Sequence, residues 1–319
     1  MKSNFLFVIV KLSLKLKWGN TMNRRNEIHL KAYAKINLGL DVVRRREDGY
    51  HEVRMVMQTV GMYDVLDIKK SNKPGIRMTS NATYIPLDEG NLVYRAVDML
   101  FKEFDINEGV DIYLEKFIPV AAGMAGGSTD CAAAFVGINK LFSLGLNMEE
   151  LMDRGAKLGA DVPYCILRGT ALSEGIGEIL TPLNPAPNCH VVVAKPVVSV
   201  STKYVYENLV LDENTHHPDI DGMVQAIKNG DLKGITDRME NVLETVTVKE
   251  YPQIERIKDT MKEHGAMNSL MSGSGSTVFG IYDDYDKASE TLEILRKDKD
   301  VKKSYLTRFF HRYPRTEER

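Results

Sequence analysis

Three cysteines, Cys131, Cys165 and Cys189, are all that 319 residues contain, and no two stand in a CxxC step. That scatter excludes a disulfide-stapled secreted fold and a thiolate zinc site, and it suits a reducing, cytoplasmic setting. Charge of either sign is not in excess: 42 lysines and arginines face 44 aspartates and glutamates, a net of −2. A chain that grips nucleic acid in bulk usually carries a basic face or tail, so any phosphate bound here is bound locally. Long hydrophobic runs are missing from the N-terminus too. Phe5 to Val10 is a run of apolar residues far short of the ~20 that span a bilayer, and no small-residue cleavage site follows it. Residues 1–25, with the alternating basic stretch Lys11 to Lys17, read as a leader outside the fold, Met22 being the expected natural start, rather than as a stable membrane anchor.

What is present is the composition of a soluble enzyme, 43% hydrophobic and 27% charged, with length enough for two cored domains. The chain is organised around Pro119, Val120, Ala121, Ala122, Gly123, Met124, Ala125, Gly126, Gly127, Ser128 and Thr129, a small-residue loop running into the helix-forming segment Asp130 to Leu144. Glycine and alanine let a backbone approach a bulky anion, and the amides at a helix start point at it with the positive end of the dipole. The alternating stretch Val110 to Lys116 precedes it, so the order is strand, phosphate loop, helix. Ser128 and Thr129 add hydroxyls for a phosphate oxygen or a magnesium ion. No lysine follows the glycines as a Walker loop requires, the spacing is not that of a dinucleotide fingerprint, and the protein-kinase landmarks are absent.

Elsewhere the pattern marks residues one at a time. Ile28 to Val43 alternates as a strand in which Lys35 and Asn37, two apart, share a face. A lysine there is either solvated at a sheet edge or buried against an anion. The Asp48-Gly49 turn leads to Tyr50 and His51, which suit a nucleobase face and edge or plain surface packing, and then to a returning strand from Glu52 to Val60. Asn91 to Phe101 is a core-packed helix, and Asn147 to Leu158 is another. Asp161, between Gly159 and Pro163, is either a helix cap or a catalytic carboxylate. Gly169 to Leu183 closes the first half as a hairpin. Pro182, Pro185 and Pro187 mark a linker, and His190 to Pro196 restarts as a buried strand. Helices are expected at Met223 to Lys228, Asp237 to Leu243, Tyr251 to His264 and Ala288 to Lys297, with a small-residue, anion-type turn in Ser269 to Ile281 flanked by strands and a last strand at Ser304 to Phe310. His216 and His217 read as loop, since sequence neighbours rarely share one metal geometry.

Taken together, Ala34 to Leu38, Asp48 to His51, the loop from Pro119, Gly159 to Pro163 and Met271 to Gly275 resemble the small-molecule kinases of the galactokinase, homoserine kinase and mevalonate kinase (GHMP) superfamily over residues 26–312. The Asp-Gly-Tyr-His element points within it to the members acting on a cytidylated methylerythritol of the non-mevalonate isoprenoid route. The resemblance implies an α+β fold with an ATP-binding half like the second domain of ribosomal protein S5 at 26–188, a ferredoxin-like half at 189–312 and a polar tail at 313–319. It implies ATP as co-substrate with Mg2+, whose ligands it leaves unassigned, and phosphoryl transfer to the 2-hydroxyl of the erythritol moiety. Asp161 would be the general base and Lys35 its electrostatic partner. Asn37 and Thr202 would touch the acceptor, Tyr50 and Tyr206 would sandwich its cytosine, and His51 would read the edge. Gly273, Ser274 and Gly275 would lie by the phosphates. Ala125 stands where many relatives carry glycine, and Tyr206 where phenylalanine is frequent. Other superfamily kinases, an RNA-binding S5-like module and a silent ATP sensor are the rival readings. A small-molecule substrate, no nucleic acid and a monomer or weak homodimer are expected.

Overall fold

The computed structural model describes residues 26–311. The leader at 1–25 and the polar tail at 313–319 lie outside the described residues. The alternating N-terminal segment forms β1 (Glu27–Arg45), which turns at Gly49 into β2 (His51–Ser71). The two strands run antiparallel along their whole length, from Glu27 opposite Lys69 to Arg45 opposite His51. Gly49 has φ 87°, which a Cβ would disfavour, and the Arg46 amide donates to the Tyr50 carbonyl at 2.8 Å to close the turn. The far edge of β2 pairs with two strands in succession, β4 (Gly109–Glu115) through residues 65–71 and β5 (Thr170–Glu174) through residues 55–58. β3 (Gly75–Ser80) runs parallel to β4, and β6 (Ile179–Pro182) completes the expected hairpin with β5.

Four helices cover one face of this sheet: α1 (Leu92–Glu103), α2 (Gly126–Leu141), α3 (Met148–Ala156) and α4 (Val162–Leu167). The side chain of Asn91 caps α1 by accepting from Val93 N, and Asn147 with Glu150 closes a reciprocal box on α3. Leu66, Ile68, Ile112 and Leu114 from the strands cluster with Val97, Leu100, Phe135 and Ile138 from the helices. Each such burial stabilises by about 1.5–3 kcal/mol, which is what fixes α2 and the loop before it against the sheet.

The second half holds β7 (His190–Pro196), α5 (Thr202–Glu207), α6 (Ile220–Lys228), α7 (Leu232–Thr236), α8 (Glu244–Glu250), α9 (Gln253–Glu263), β8 (Asn268–Met271), β9 (Val278–Tyr282), α10 (Tyr285–Lys297) and β10 (Val301–Arg308). Its sheet has the order β10-β7-β9-β8, every neighbour antiparallel, which is the ferredoxin-like arrangement. β7 is apolar on both faces because both are covered. Val192 and Ala194 cluster with Ile254, Ile257 and Leu295 of α9 and α10, while Val191 and Val193 cluster with Ile36, Leu38, Val56 and Val60 of the first sheet. One core is therefore shared by the two halves.

The helix expected at Asp237 to Leu243 does not form. α7 ends at Thr236, and the next segment is stitched to β1: Leu40 N donates to Glu240 O at 2.9 Å and Val242 N to Leu40 O at 3.0 Å. Those main-chain bonds to a neighbouring strand replace the helical ones. No helix among the described residues is long and apolar enough to cross a membrane.

Candidate active site

A cleft of ≈ 980 Å³ opens between the two halves, floored by β1 and β2 and walled by the loop before α2 on one side and α5 on the other. The loop holds an unusual backbone because small residues allow it. Ala121, Gly123 and Ala125 have φ of 50°, 74° and 55°, so the alanine at 125 accepts the left-handed geometry that glycine adopts more easily. Ala125 sits at the N-cap of α2 and offers no side-chain cap, which leaves first-turn amides for an anion in the cleft. At Gly123 a Cβ would lie 2.0 Å from the Ser272 carbonyl oxygen, and Ser272 Oγ donates to Gly123 O at 2.9 Å. The loop is thus locked to the β8–β9 turn of the other half.

Asp161 stands at the N-cap position of α4 with φ −79° and ψ −14°, and its side chain makes no capping bond. Of the two roles open to it in the sequence, capping is not the one adopted. Lys35 is buried on β1, donates to Asn37 Oδ1 at 2.8 Å and lies 3.7 Å from Asp161 Oδ2, whose side chain is one-third exposed to the cleft. Asn37 in turn donates to Met55 Sδ at 3.3 Å, so the lysine and its partner are held in one orientation from below. An ammonium and a carboxylate at this separation can both reach a hydroxyl bound beside them, and such contacts tighten once a substrate arrives.

At the α5 end, the His51 ring packs on Tyr206 with centroids 5.0 Å apart, and Tyr50 stands largely exposed on the opposite lip. Burial, helped by the Arg45 charge, holds His51 below its ordinary pKa, so its ring is neutral and can both donate and accept. Burial pushes the Tyr206 phenol up to about 12, with Asp161 adding to it. The Thr202 and Ser274 hydroxyls are 2.8 Å apart and tie α5 to the β8–β9 turn.

Every residue expected in the site lines this cleft except Pro119, Val120, Met124, Thr129 and Gly275. Met124 is buried in the core between the halves, and Thr129 spends its hydroxyl on the Tyr33 carbonyl at 2.8 Å. Of the two hydroxyls marked for phosphate or metal, only Ser128 faces the cleft. A Cβ on Gly275 would meet Met271 rather than open space. Arg45, Met55, Ile176, Lys203 and Leu243 also line the cleft and were not anticipated. Ile176, a bulky apolar residue between Gly175 and Gly177 at a hairpin tip, carried a readable signal.

Behind the phosphate loop lies a second feature that the sequence reading missed. Lys116 Nζ donates to Asp64 Oδ2 and, at 2.6 Å, to Asp130 Oδ2. All three side chains are nearly inaccessible. Asp64 Oδ1 accepts from Phe117 N at 2.5 Å and Ile118 N at 2.8 Å, which fixes the chain entering the loop. A Cβ on Gly126 would come 3.3 Å from Lys116 Nζ, so this ammonium sits directly beneath the cradle. Burial opposes the lysine's charge, but Asp130 and Asp64 outweigh it and raise its pKa. Burial raises Asp130 well above the carboxylate range, with Lys116 opposing and Asp64 adding. Two carboxylates share one ammonium in a dry site, and the Asp130 Oδ1 has no hydrogen-bond partner. A carboxylate inside the small-residue run before Cys131 to Ala134 was the sign of it. The three cysteines are buried, and burial pushes their thiols up, so none is a nucleophile.

A glycine- and alanine-built anion cradle at a helix start, joined to a ferredoxin-like half across a cleft holding a lysine and an aspartate, defines a GHMP-type small-molecule kinase. Models of the GHMP kinase N-terminal domain and C-terminal domain match residues 91–169 and 223–300. The chain is 56% identical over 283 residues to a 4-diphosphocytidyl-2-C-methyl-D-erythritol kinase of Lachnoclostridium phytofermentans, covering 89% of this chain and 97% of that one. It is 50% identical over 279 residues to the kinase of that name from Clostridium perfringens, covering 88% and 97%. A solved 4-(cytidine 5'-diphospho)-2C-methyl-D-erythritol kinase superposes with TM-score 0.77 at 30% identity, over 88% of this chain and 99% of that one. Homoserine kinase from Cytophaga hutchinsonii superposes with TM-score 0.74 at 20% identity, a likeness of fold. The chain belongs to the 4-diphosphocytidyl-2-C-methyl-D-erythritol kinase family and is a kinase.

Proposed function

We propose that this kinase transfers the γ-phosphoryl group of ATP to the 2-hydroxyl of 4-diphosphocytidyl-2-C-methyl-D-erythritol, the reaction of the non-mevalonate isoprenoid route. The observation that carries the reading is the approach of Lys35 and Asp161 to 3.7 Å in one cleft that has an anion cradle at one end and Tyr50, His51 and Tyr206 at the other. The relatives named for this activity support the same substrate.

In this reading the amides at the start of α2 hold the triphosphate, and phosphoryl transfer then needs alignment and charge stabilisation more than covalent chemistry. Asp161 accepts the proton of the acceptor hydroxyl as its oxygen attacks the γ-phosphorus. Lys35, held by Asn37, stabilises the charge developing on that oxygen. Tyr50 and Tyr206 flank the cytosine, the neutral His51 ring meets its edge, and Thr202, Gly273 and Ser274 border the phosphates. Mg2+ commonly keeps several waters and takes one or two protein oxygens beside substrate phosphates. Ser128, the loop hydroxyl that lines the cleft, fits that modest requirement, and the ion would supply neutralisation of phosphate charge. Residues 26–188 form the ATP-binding half and 189–312 the C-terminal half.

Mass spectrometry of the product formed from ATP and the cytidylated erythritol tests reaction and acceptor together, with mevalonate and homoserine as competing acceptors. Phosphorylation of either competitor in place of the cytidylated alcohol would refute the assignment.

A further inference from the structure

β1 ends in Arg44 and Arg45 and the turn opens with Arg46, and strand alternation sends Arg45 to the opposite side from Arg44. Arg44 is paired with Glu52 at 2.5 Å, and Arg46 with Asp48 at 2.8 Å. Arg45 has no carboxylate partner among the described residues, and it alone of the three lines the cleft. Its position along the cleft is defined by its cross-strand neighbour. Arg45 pairs in register with His51, whose ring packs on Tyr206. The guanidinium is close enough to help hold the His51 ring neutral. A cation without a counter-ion, beside the aromatic end of a cleft whose other end is the phosphate cradle, is suited to an anion carried by the ligand that the aromatics bind.

We infer that Arg45 is a binding residue for the diphosphate of the acceptor, gripping the bridge between the nucleoside and the polyol. This rests on the functional reading above and extends it: the acceptor is recognised as a nucleoside diphosphate ester and not through its base alone. A planar guanidinium suits two phosphate oxygens at once. The site is exposed at the cleft mouth, so the gain is moderate. Arg45 takes no part in proton transfer, and its effect belongs in acceptor binding.

The test compares cytidine with cytidine diphosphate by calorimetry, and acceptor and ATP by steady-state kinetics, in the full-length parent, Arg45→Gln, Arg45→Lys and Arg44→Gln. Arg45→Gln should weaken cytidine diphosphate about tenfold while leaving cytidine unchanged, and raise the acceptor KM about tenfold with kcat and the ATP KM unaltered. Arg45→Lys should recover part of this, and Arg44→Gln should match the parent. Equal weakening of cytidine and its diphosphate, or no change in either, overturns the inference. So does a rise confined to the ATP KM. A parent protein that binds neither ligand and does not phosphorylate the acceptor removes the functional reading itself, and this inference with it.

Discussion

Replacing Lys116 by methionine should reveal how much of the phosphate loop rests on a buried charge. The lysine side chain is 3% exposed, and the carboxylates of Asp64 and Asp130 that it contacts are 0% and 4% exposed. Methionine fills a similar volume but leaves two carboxyl groups in a dry site with no counter-ion. Without the ammonium nothing opposes protonation of the two buried carboxyl groups, so the folded variant takes up a proton that the parent does not hold. Removing one partner of a buried ion pair is expected to cost about 3–5 kcal/mol. The sign follows from proton counting. The folded variant binds a proton that the unfolded chain has released above pH 4, so the added loss is small near pH 5 and deepens by about 1.4 kcal/mol per unit towards pH 7. Urea unfolding at pH 5, 6 and 7, followed by circular dichroism, measures it directly. Adding Asp64→Asn should restore most of the stability at pH 7. A parent-minus-variant difference under about 1 kcal/mol, or one that does not change with pH, would refute the account of the buried cluster.

The remaining expectations concern the cleft. Asp161→Asn should lower kcat about 100- to 10,000-fold with the ATP dissociation constant within about twofold of the parent, measured by rapid quench and calorimetry; equal rates would place the base elsewhere. Gly123→Ala puts a Cβ 2.0 Å from the Ser272 carbonyl oxygen at a φ of 74°, and should reduce kcat/KM for ATP about a hundredfold by shifting the cradle. Ala125→Gly should instead relax the φ of 55° and raise unfolding stability by up to about 1 kcal/mol, and a fall in stability would show that the position is not strained. Because burial and Arg45 keep His51 below its ordinary pKa, calorimetric cytidine affinity should be flat from pH 8 down to about 6.5 and weaken only below that.

The small-residue loop before α2 was legible because only small residues tolerate its backbone, and they occur together in one run. Lys35 and Asp161 were legible as local anomalies, a lysine in a strand pattern and a carboxylate between a glycine and a proline; the fold shows the lysine buried 3.7 Å from that carboxylate and the carboxylate without a capping bond. The Lys116 cluster was not legible, since its three members come from β2, the end of β4 and α2 and none is odd beside its own neighbours except Asp130. The missing helix at Asp237 to Leu243 failed for a related reason. Its periodicity is genuine, yet bonds to Leu40 on a distant strand outcompete the local ones. Thr129 shows the same limit at a single atom: a hydroxyl beside a phosphate loop was readable, the Tyr33 carbonyl that claims it was not.

The apolar seam that β1 and β2 share with β7 and β9 makes the halves poor candidates for exchange. Grafting the second half of one relative onto the first half of another would leave Ile36, Leu38, Val191, Val193 and Phe279 facing side chains of the wrong shape. A chimera of that kind would need this seam repacked before its two parts could fold as one body.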